Sequence, residues 1–280
     1  MQLGSFTDLL ENALLNHIAN SSYTASASLF VALNTADPTD TATGASMSEV
    51  ANTNGYARTA ITFSAAASRQ VVQSGAVTFP QATGTWGTIT HWSIVTTATY
   101  GAGNVLAYGS FTASFAPVNG NTPTIPTTEI KVQVSASAGG AGFTDYTVHK
   151  WLDLAFRNQT FTKPATYIGL ATATLSDTTV AAGSVTEVSG GAYARVQVNP
   201  NGGASPTWTT AAAGALENVQ AITFPTPSAT WGTLTSAFLV DSASGAGNVL
   251  GYDNGNVTDQ QINANDTVLF PAGSWDMSLS

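Results

Sequence analysis

Two segments of the chain, beginning near residues 6 and 143, have the hydrophobic period of an amphipathic α-helix. In the first, the apolar face carries Phe6, Leu9, Leu10, Ala13, Leu14 and Ile18. In the second, it carries Val148, Trp151, Leu152 and Ala155. Thr7 and Thr144 stand at the N-cap positions, and each is followed by an aspartate, Asp8 or Asp145, in the first turn, where the helix dipole favours an anion. The pattern predicts one short helix at the start of each half.

Short runs rich in Val, Ile, Thr, Phe and Tyr follow each helix and are separated by Gly, Asn, Asp and Pro. This composition is typical of antiparallel strands joined by turns. In the first half we predict strands near residues 29–34, 56–63, 75–79, 89–96, 105–111 and 129–134. Because strand and helix do not alternate along the sequence, we predict a mainly β fold, with two similar antiparallel β-sandwich or β-barrel domains; the pattern does not choose between sandwich and barrel.

The chain is a tandem repeat. The string FTD at residues 6–8 returns at residues 143–145, and YAR at residues 56–58 returns at residues 193–195, both at an offset of 137 residues. Beyond that point the second copy has gained about eight residues around NPNGGASPTWTT, which indicates a longer loop. The strings TWGT and GAGNVL also occur in both copies. A repeat of this length predicts two similar domains in series.

The boundary between the copies falls in residues 135–142, SASAGGAG, whose composition is that of a flexible linker. We therefore predict a first β-rich domain over residues 1–137 and a second over residues 138–280. Each is close to the modal size of a domain and is long enough to bury a core of its own.

The composition narrows the class of partner. Only 8% of the residues are charged and the formal net charge is −9, so most of the surface polarity must come from uncharged side chains. The acidic balance and the lack of a Lys/Arg cluster argue against nucleic acid as a partner. The sequence has neither an apolar run long enough to span a membrane nor the pattern of a secretory signal, so we expect a soluble, non-exported chain without membrane contact.

Residues retained in both copies are the best candidates for chemistry, and the histidines are not among them. At the repeat offsets, His17, His91 and His149 are replaced by other residue types, and none of the three has a second histidine at metal-ligand spacing. The loop residues Asp37, Asp40 and Asp177 are acidic but lack the spacing of a calcium loop. The chain also has no cysteine. Taken together, these observations predict no catalytic, cofactor-binding or metal-binding residue.

Both copies keep one charged pair, Glu49 with Arg58 and Glu187 with Arg195. A carboxylate held by an arginine can act in catalysis, but no second carboxylate or base accompanies the pair in both copies. We therefore favour an ion pair that fixes the loop before the Tyr-Ala-Arg strand.

Two further repeated motifs have both a functional and a structural interpretation. The GAG strings at residues 101–103 and 245–247 resemble the start of a dinucleotide fingerprint, but a strand-like run follows each of them, so a hairpin turn is the better interpretation. Trp86 and Trp231, in TWGT, suit either a sugar-stacking platform or an anchor in the core. Their exposure decides between these two.

The order of these strings resembles that of a family of tailed-phage virion proteins, labelled tail-fibre protein or mycobacteriophage structural protein. The strings are FTDLLENALLNHI, LFVALNTADPTD, GYAR, AVTFP, TWGTITHWSI and GAGNVLAYG, with EVSGGAYARV, ITFPTPSATWGTL and GAGNVLGY in the second half. The chain departs from the family in two respects: the unit is duplicated, and residues 126–128 are PTT where the second copy has the family's PAG at residues 271–273. The resemblance implies a component of the particle without catalytic activity or cofactor.

Within the particle we expect a capsid decoration or cement protein that binds the outer surface of the major capsid protein lattice and stabilises it. The duplication, the low charge and the resemblance motivate this expectation. We also expect a homo-oligomer, a trimer before other states, because three chains would present six similar domains. A tail or tail-fibre-associated structural protein is the alternative, and a carbohydrate-binding module for host attachment is a further alternative.

Overall fold

The computed structural model describes residues 4–137, 139–199, 208–255, 257 and 259–279. The first half contains one helix, α1 (Asp8–Ala19), among short strands. These strands are β1 (Ser5–Phe6), β2 (Leu29–Asn34), β3 (Thr59–Ile61), β4 (Gln70–Val72), β5 (Val77–Thr78), β6 (Ile89–Val95), β7 (Val105–Phe115), β8 (Thr124–Ile125) and β9 (Lys131–Gln133).

The second half repeats this order with one α-helix, α2 (Asp145–Arg157), and a 3-10 turn at Ala182–Ser184. Its strands are β10 (Ala141–Phe143), β11 (Thr166–Ala171), β12 (Val196–Asn199), β13 (Ala215–Glu217), β14 (Ile222–Thr223), β15 (Gly232–Leu234), β16 (Ser236–Val240), β17 (Val249–Asp253), β18 (Gln260–Ile262), β19 (Leu269–Phe270) and β20 (Asp276–Ser278).

Each half is built around one five-stranded antiparallel sheet. The strand order is β1-β7-β6-β2-β3 in the first and β10-β17-β16-β11-β12 in the second, so equivalent strands of the repeat occupy equivalent places. Short two-stranded ribbons complete each half: β4-β9 and β5-β8 in the first, and β13-β20, β14-β19 and β15-β18 in the second. The prediction of two similar, mainly β, antiparallel units with one helix each is confirmed.

The N-terminal threonines of the helices act differently from a standard cap. Thr7 and Thr144 occupy the N-cap positions as predicted, but neither side chain bonds to its own helix. Instead the Thr7 hydroxyl donates to the Val105 carbonyl oxygen at 2.6 Å, and the Thr144 hydroxyl donates to that of Val249 at 2.5 Å. Each threonine therefore ties the start of its helix to the strand that follows the GAG turn.

The predicted strands are present but several are shorter than expected. β2 has the predicted bounds, 29–34. The strands predicted at 56–63 and 75–79 are shorter in the structure, where they correspond to β3 and β5. The sequence also gave no indication of β4 and β8, because two or three residues show too little alternation to stand out.

The two halves share one hydrophobic core. The largest cluster of buried side chains contains residues of both halves, and a smaller cluster lies within each half. In addition, α2 packs against β4 and α1 packs against β13. Phe156 of α2 stacks on Phe6, with ring centroids 6.0 Å apart, and meets the edge of Phe63 at 5.4 Å. The helix of each half thus covers a strand of the other, and the apolar surface of one half is completed by its neighbour.

The segment predicted to be a flexible linker is held in place. Its last two residues begin β10, the Ser135 carbonyl oxygen accepts a hydrogen bond from Arg69 at 2.9 Å, and the Ser137 N–H donates to Asp177 at 2.8 Å. The flexible linker over 135–142 was therefore wrong for its described residues, because polar partners from both halves fix this backbone; Ala138 lies outside them. The division after residue 137 stays a prediction. In the described ranges, no helix has the length and apolar character that crossing a membrane requires.

Candidate functional site

The Glu49–Arg58 pair of the first half is buried, and partners within the same half occupy its hydrogen-bonding groups. Arg58 donates from Nε and Nη2 to the two oxygens of Glu49, both at 2.8 Å, and the two side chains are 1% and 2% exposed. The Tyr56 hydroxyl also donates to Glu49, at 2.9 Å, and accepts from the Leu33 N–H at 3.0 Å. Burial and the nearby Glu49 carboxylate raise the pKa of Tyr56. This carboxylate is saturated by internal donors rather than left free as a base.

The same arginine anchors the GAG turn. Arg58 Nη1 donates to the carbonyl oxygens of Thr97 at 3.0 Å and Ala102 at 2.8 Å. Ala102 lies between β6 and β7, and its neighbours Gly101 and Gly103 have φ values of 69° and 81°, which a residue with a Cβ rarely adopts. The hairpin interpretation of the GAG string is confirmed, and a dinucleotide loop is not formed here.

The second copy repeats this hydrogen-bond network, but its glutamate is more exposed to solvent. Arg195 donates to the two oxygens of Glu187 at 2.8 and 2.7 Å, and to the carbonyl oxygens of Ser242 and Gly245, each at 3.0 Å. The hydrogen bond to Glu187 raises the pKa of Arg195. The Glu187 side chain is 21% exposed, against 2% for Glu49. In both copies the pair fixes the loop before β3 or β12, as the structural interpretation predicted, but Tyr-Ala-Arg itself lies in that loop rather than in a strand.

The two TWGT tryptophans are core anchors. Trp86 and Trp231 are each 5% exposed, and their indole N–H groups donate to the carbonyl oxygens of Asn54 at 2.8 Å and Gly191 at 2.9 Å. Both rings meet a tyrosine edge-on, with centroids 5.3 Å apart. A sugar-stacking platform needs an accessible ring face, so these residues do not provide one.

The three histidines lie apart, each with a local partner. His17 is buried and accepts a hydrogen bond from the Tyr23 N–H at 3.0 Å, and burial lowers its pKa. His91 shares a hydrogen bond with Thr90 at 2.8 Å, and His149 accepts from the Arg69 N–H at 3.0 Å. Within the described ranges, none of them belongs to a cluster of metal-ligating side chains.

The contact between His149 and Arg69 is one of two equivalent contacts between the halves. At the repeat offsets, Arg69 and His149 correspond to Gly214 and Asn12, and the Gly214 N–H donates to the Asn12 side chain at 3.0 Å. Likewise, Ala66 and Ala211 donate their N–H groups to Asp153 at 2.9 Å and to Asn16 at 3.0 Å. Each half thus presents one turn to the helix of the other, in the self-complementary manner of a two-fold dimer.

The two equivalent sites differ in their charges. In one, Arg69 donates to Asp145 at 3.0 Å, lies 3.5 Å from Asp177, and also donates to the carbonyl oxygens of Val134, Ser135 and Phe143. In the other, Gly214 stands where the arginine would be, and its Cα is so close to the Glu11 carboxylate that an added Cβ would collide with it. The first site contains an internal cation and the second does not.

Three carboxylates converge at the second site. One oxygen each of Asp8, Glu11 and Asp40 lies within 4.8 Å of the others. Burial, and then the charges of Asp40 and Asp8, raise the pKa of Glu11 to about 7. The sequence reasoning missed Asp8 and Glu11, although Asp8/Asp145 and Asp40/Asp177 are both retained at the same 137-residue offset, which was a usable signal.

The clearest enclosed cavity of the described chain is small. It occupies about 90 Å³ between β10, β17 and β20. Pockets that hold a drug-sized ligand span roughly 300–1,000 Å³. This cavity is below that range, whereas a more open cleft of about 380 Å³ lies among residues 26–29, 60–63 and 156–159.

In each copy of the β unit, the retained Glu–Arg pair holds a turn of that same copy. This is the organisation of a structural component. The family model described as Podophage GP4 fiber I protein gp80 matches residues 5–133 and again residues 142–278. The chain therefore belongs to this family, with two copies of its unit, and the resemblance to phage virion structural proteins is confirmed. No curated protein matches the chain.

Proposed function

We propose that the chain is a non-enzymatic, fibre-associated structural protein of a phage particle. The observation that carries this proposal is the match of both halves to a family described by a podophage fibre protein. That description favours the tail-fibre alternative over the capsid decoration protein that the duplication, the low charge and the family resemblance led us to expect. It also favours a component of the tail over the major capsid protein as the partner.

The polar groups that both copies retain are used inside the fold, which supports a structural role. Both retained Glu–Arg pairs are taken up by loops and turns of their own half, and both TWGT tryptophans are buried. An enzyme would need an acid, base or nucleophile facing a substrate pocket. The shared core supports the same proposal, because it makes the two halves into one body that can transmit load within an assembly.

Several exposed apolar side chains provide surface for assembly contacts. Tyr100, Val118, Val219 and Leu269 are between 42% and 49% exposed. Together with the low charge, such side chains suit contacts with another protein, either a tail component or another copy of the chain. A homo-oligomer, with three chains as the first model, belongs to this proposal and is testable by native mass spectrometry of the purified chain.

Locating the chain on purified particles tests the proposal directly. Gold-labelled antibodies against this chain should decorate the tail, while antibodies against the major capsid protein label the head in the same preparation. Quantitative mass spectrometry should give few copies of the chain relative to the major capsid protein. Label spread over the head, with copies in proportion to the capsid lattice, would overturn the fibre proposal and favour decoration.

A further inference from the structure

The two equivalent acidic sites at the contact between the halves differ in one respect: a basic side chain neutralises only one of them. Asp145 and Asp177 share the guanidinium of Arg69, at 3.0 and 3.5 Å. Their counterparts at the repeat offset, Asp8 and Asp40, have a glycine, Gly214, in the arginine's place. The fold has therefore kept an aspartate pair at both sites and supplies a cation to only one of them.

The unneutralised site also contains a third carboxylate that is buried. Glu11 is 5% exposed, and within the described chain no hydrogen bond or ion pair reaches its carboxylate. Its equivalent in the other half is the apolar Val148. Burying an ionised group without a partner is costly, and two more carboxylates within 4.8 Å add repulsion to that cost. Glu11 thus points into a place where positive charge is missing.

The chain has no spare basic residue for this site. Arg58, Arg69, Arg157 and Arg195 pair with acidic residues elsewhere. Of the three lysines, Lys150 lies over the Tyr146 ring, and none forms an ion pair with the three carboxylates in the described ranges. The missing charge must come from protons or from a cation in solution.

We propose that Asp8, Glu11 and Asp40 bind one divalent metal ion, with calcium preferred. Carboxylate oxygens are the ligands of hard cations, and calcium accepts irregular oxygen sites whose remaining positions are filled by water. Asp40 lies on the exposed rim, Asp8 is half-buried and Glu11 is buried, so the ion has an entry from solvent. The ion takes the place that the Arg69 guanidinium holds in the other half.

The three proposed ligands come from two segments of the chain. Asp8 and Glu11 lie in the first turn of α1, and Asp40 lies in the loop after β2. The Asp8 N–H already donates to the Asp40 carbonyl oxygen at 3.2 Å, so the two segments are prealigned. The Glu11 carboxylate also lies against Gly214 of the second half. The ion therefore stabilises the contact between the halves as well as the helix start.

Calcium and terbium titrations of the full chain, first freed of metal with EDTA, test the proposal. Calcium should raise the thermal midpoint of the wild-type chain. Terbium should bind at one ion per chain, give luminescence sensitised by Tyr108, and be displaced by calcium. Tyr108 senses the site, because its pKa is raised by burial and then by the charges of Asp40, Asp37, Glu11 and Asp8. Glu11→Gln should weaken both metals at least tenfold and abolish the calcium-dependent shift.

Two controls keep the outcome unambiguous. Glu217→Gln makes the same chemical change at an exposed site and should leave metal binding unchanged. Asp40→Asn, at the exposed rim, gives a second variant that does not depend on burial and should also weaken binding at least tenfold. Absence of calcium and terbium binding by the wild-type chain, or binding of unchanged strength in both Glu11→Gln and Asp40→Asn, would overturn the proposal.

Discussion

The Arg69 guanidinium of the first half donates a hydrogen bond to the Asp145 carboxylate of the second half at 3.0 Å, in the first turn of α2. The Arg69 side chain is 9% exposed and lies 3.5 Å from Asp177 as well. One side chain thus holds the start of a helix, a loop and the segment between the two halves.

Replacing Arg69 with methionine should destabilise the whole chain. The change removes the counterion of Asp145 and Asp177 and one donor from each of three backbone carbonyl groups. Asp177 keeps the donors Ser137 and Tyr252, and Asp145 is 30% exposed, so the cost should be about 1–3 kcal/mol in the free energy of unfolding. Urea denaturation followed by circular dichroism measures this loss. Arg157→Met, which breaks a more exposed pair within α2, is the matched control and should cost less than about 0.5 kcal/mol. Equal losses in the two variants would contradict the prediction.

The two retained Glu–Arg pairs should differ in their contribution to stability. Arg58→Met leaves Glu49, 2% exposed, without its counterion and should cost about 3–5 kcal/mol. Arg195→Met leaves Glu187, 21% exposed, where water can hydrate the carboxylate, so the cost should be about 1–3 kcal/mol. Denaturation midpoints of the two variants give the comparison. The reverse order would show that solvent access does not set the difference.

The raised pKa of Glu11 predicts a pH-dependent stability. In metal-free buffer the folded chain holds this proton up to about pH 7, whereas the unfolded chain releases it near the ordinary value of 4.5. The free energy of unfolding should therefore fall as the pH rises through this window, and level off above it. Glu11→Gln should remove this slope and be more stable than the wild type at pH 8, by on the order of 2 kcal/mol.

Subtracting the stability-versus-pH profile of Glu11→Gln from that of the wild type isolates the contribution of the Glu11 carboxyl. Asp8, Asp40 and Tyr108 face Glu11 and are present in both chains. His17, whose pKa is lowered by burial, opposes the trend in both chains and cancels to first order. Parallel profiles from pH 4 to 8 would mean that Glu11 titrates normally.

The shared core predicts that neither half folds alone. Residues 1–137 without α2 would expose the face around Phe6 and Phe63 that Phe156 covers, and residues 138–280 would lose α1 from β13. Each separate half should give a poorly dispersed NMR spectrum, and mixing the two should restore a dispersed one. A cooperative unfolding transition in either isolated half would instead support two independent domains.

Because the tryptophans are buried, we can predict how a quencher affects their fluorescence. All six are at most 5% exposed, so acrylamide should quench the fluorescence of the folded chain weakly and that of the urea-unfolded chain strongly. Mono- and oligosaccharides should leave the emission of the folded chain unchanged. A sugar-dependent shift in emission would restore a carbohydrate-binding role.

The sequence predicted the parts of the fold that depend on local pattern. The helix starts, the bounds of β2 and the GAG hairpin follow from periodicity and turn chemistry. The packing of the halves does not, since a repeat defines similar units without defining which surfaces meet. The groups that accept hydrogen bonds from the Arg69 side chain lie 65 to 76 residues away in the sequence, and no spacing rule connects them. The acidic site was missed for the same reason, because Asp40 joins Asp8 only when the sheet has formed.

A symmetric dimer of identical subunits would place one residue type at both equivalent contacts. Here Arg69 occupies one contact and Gly214 the other, which is possible because the two fused copies have diverged in sequence. The molecule consequently has a direction: one end is locked by a guanidinium and the other is lined with three carboxylates. A neighbour in an assembly can distinguish these ends, so subunits of this kind can be laid down with a single orientation.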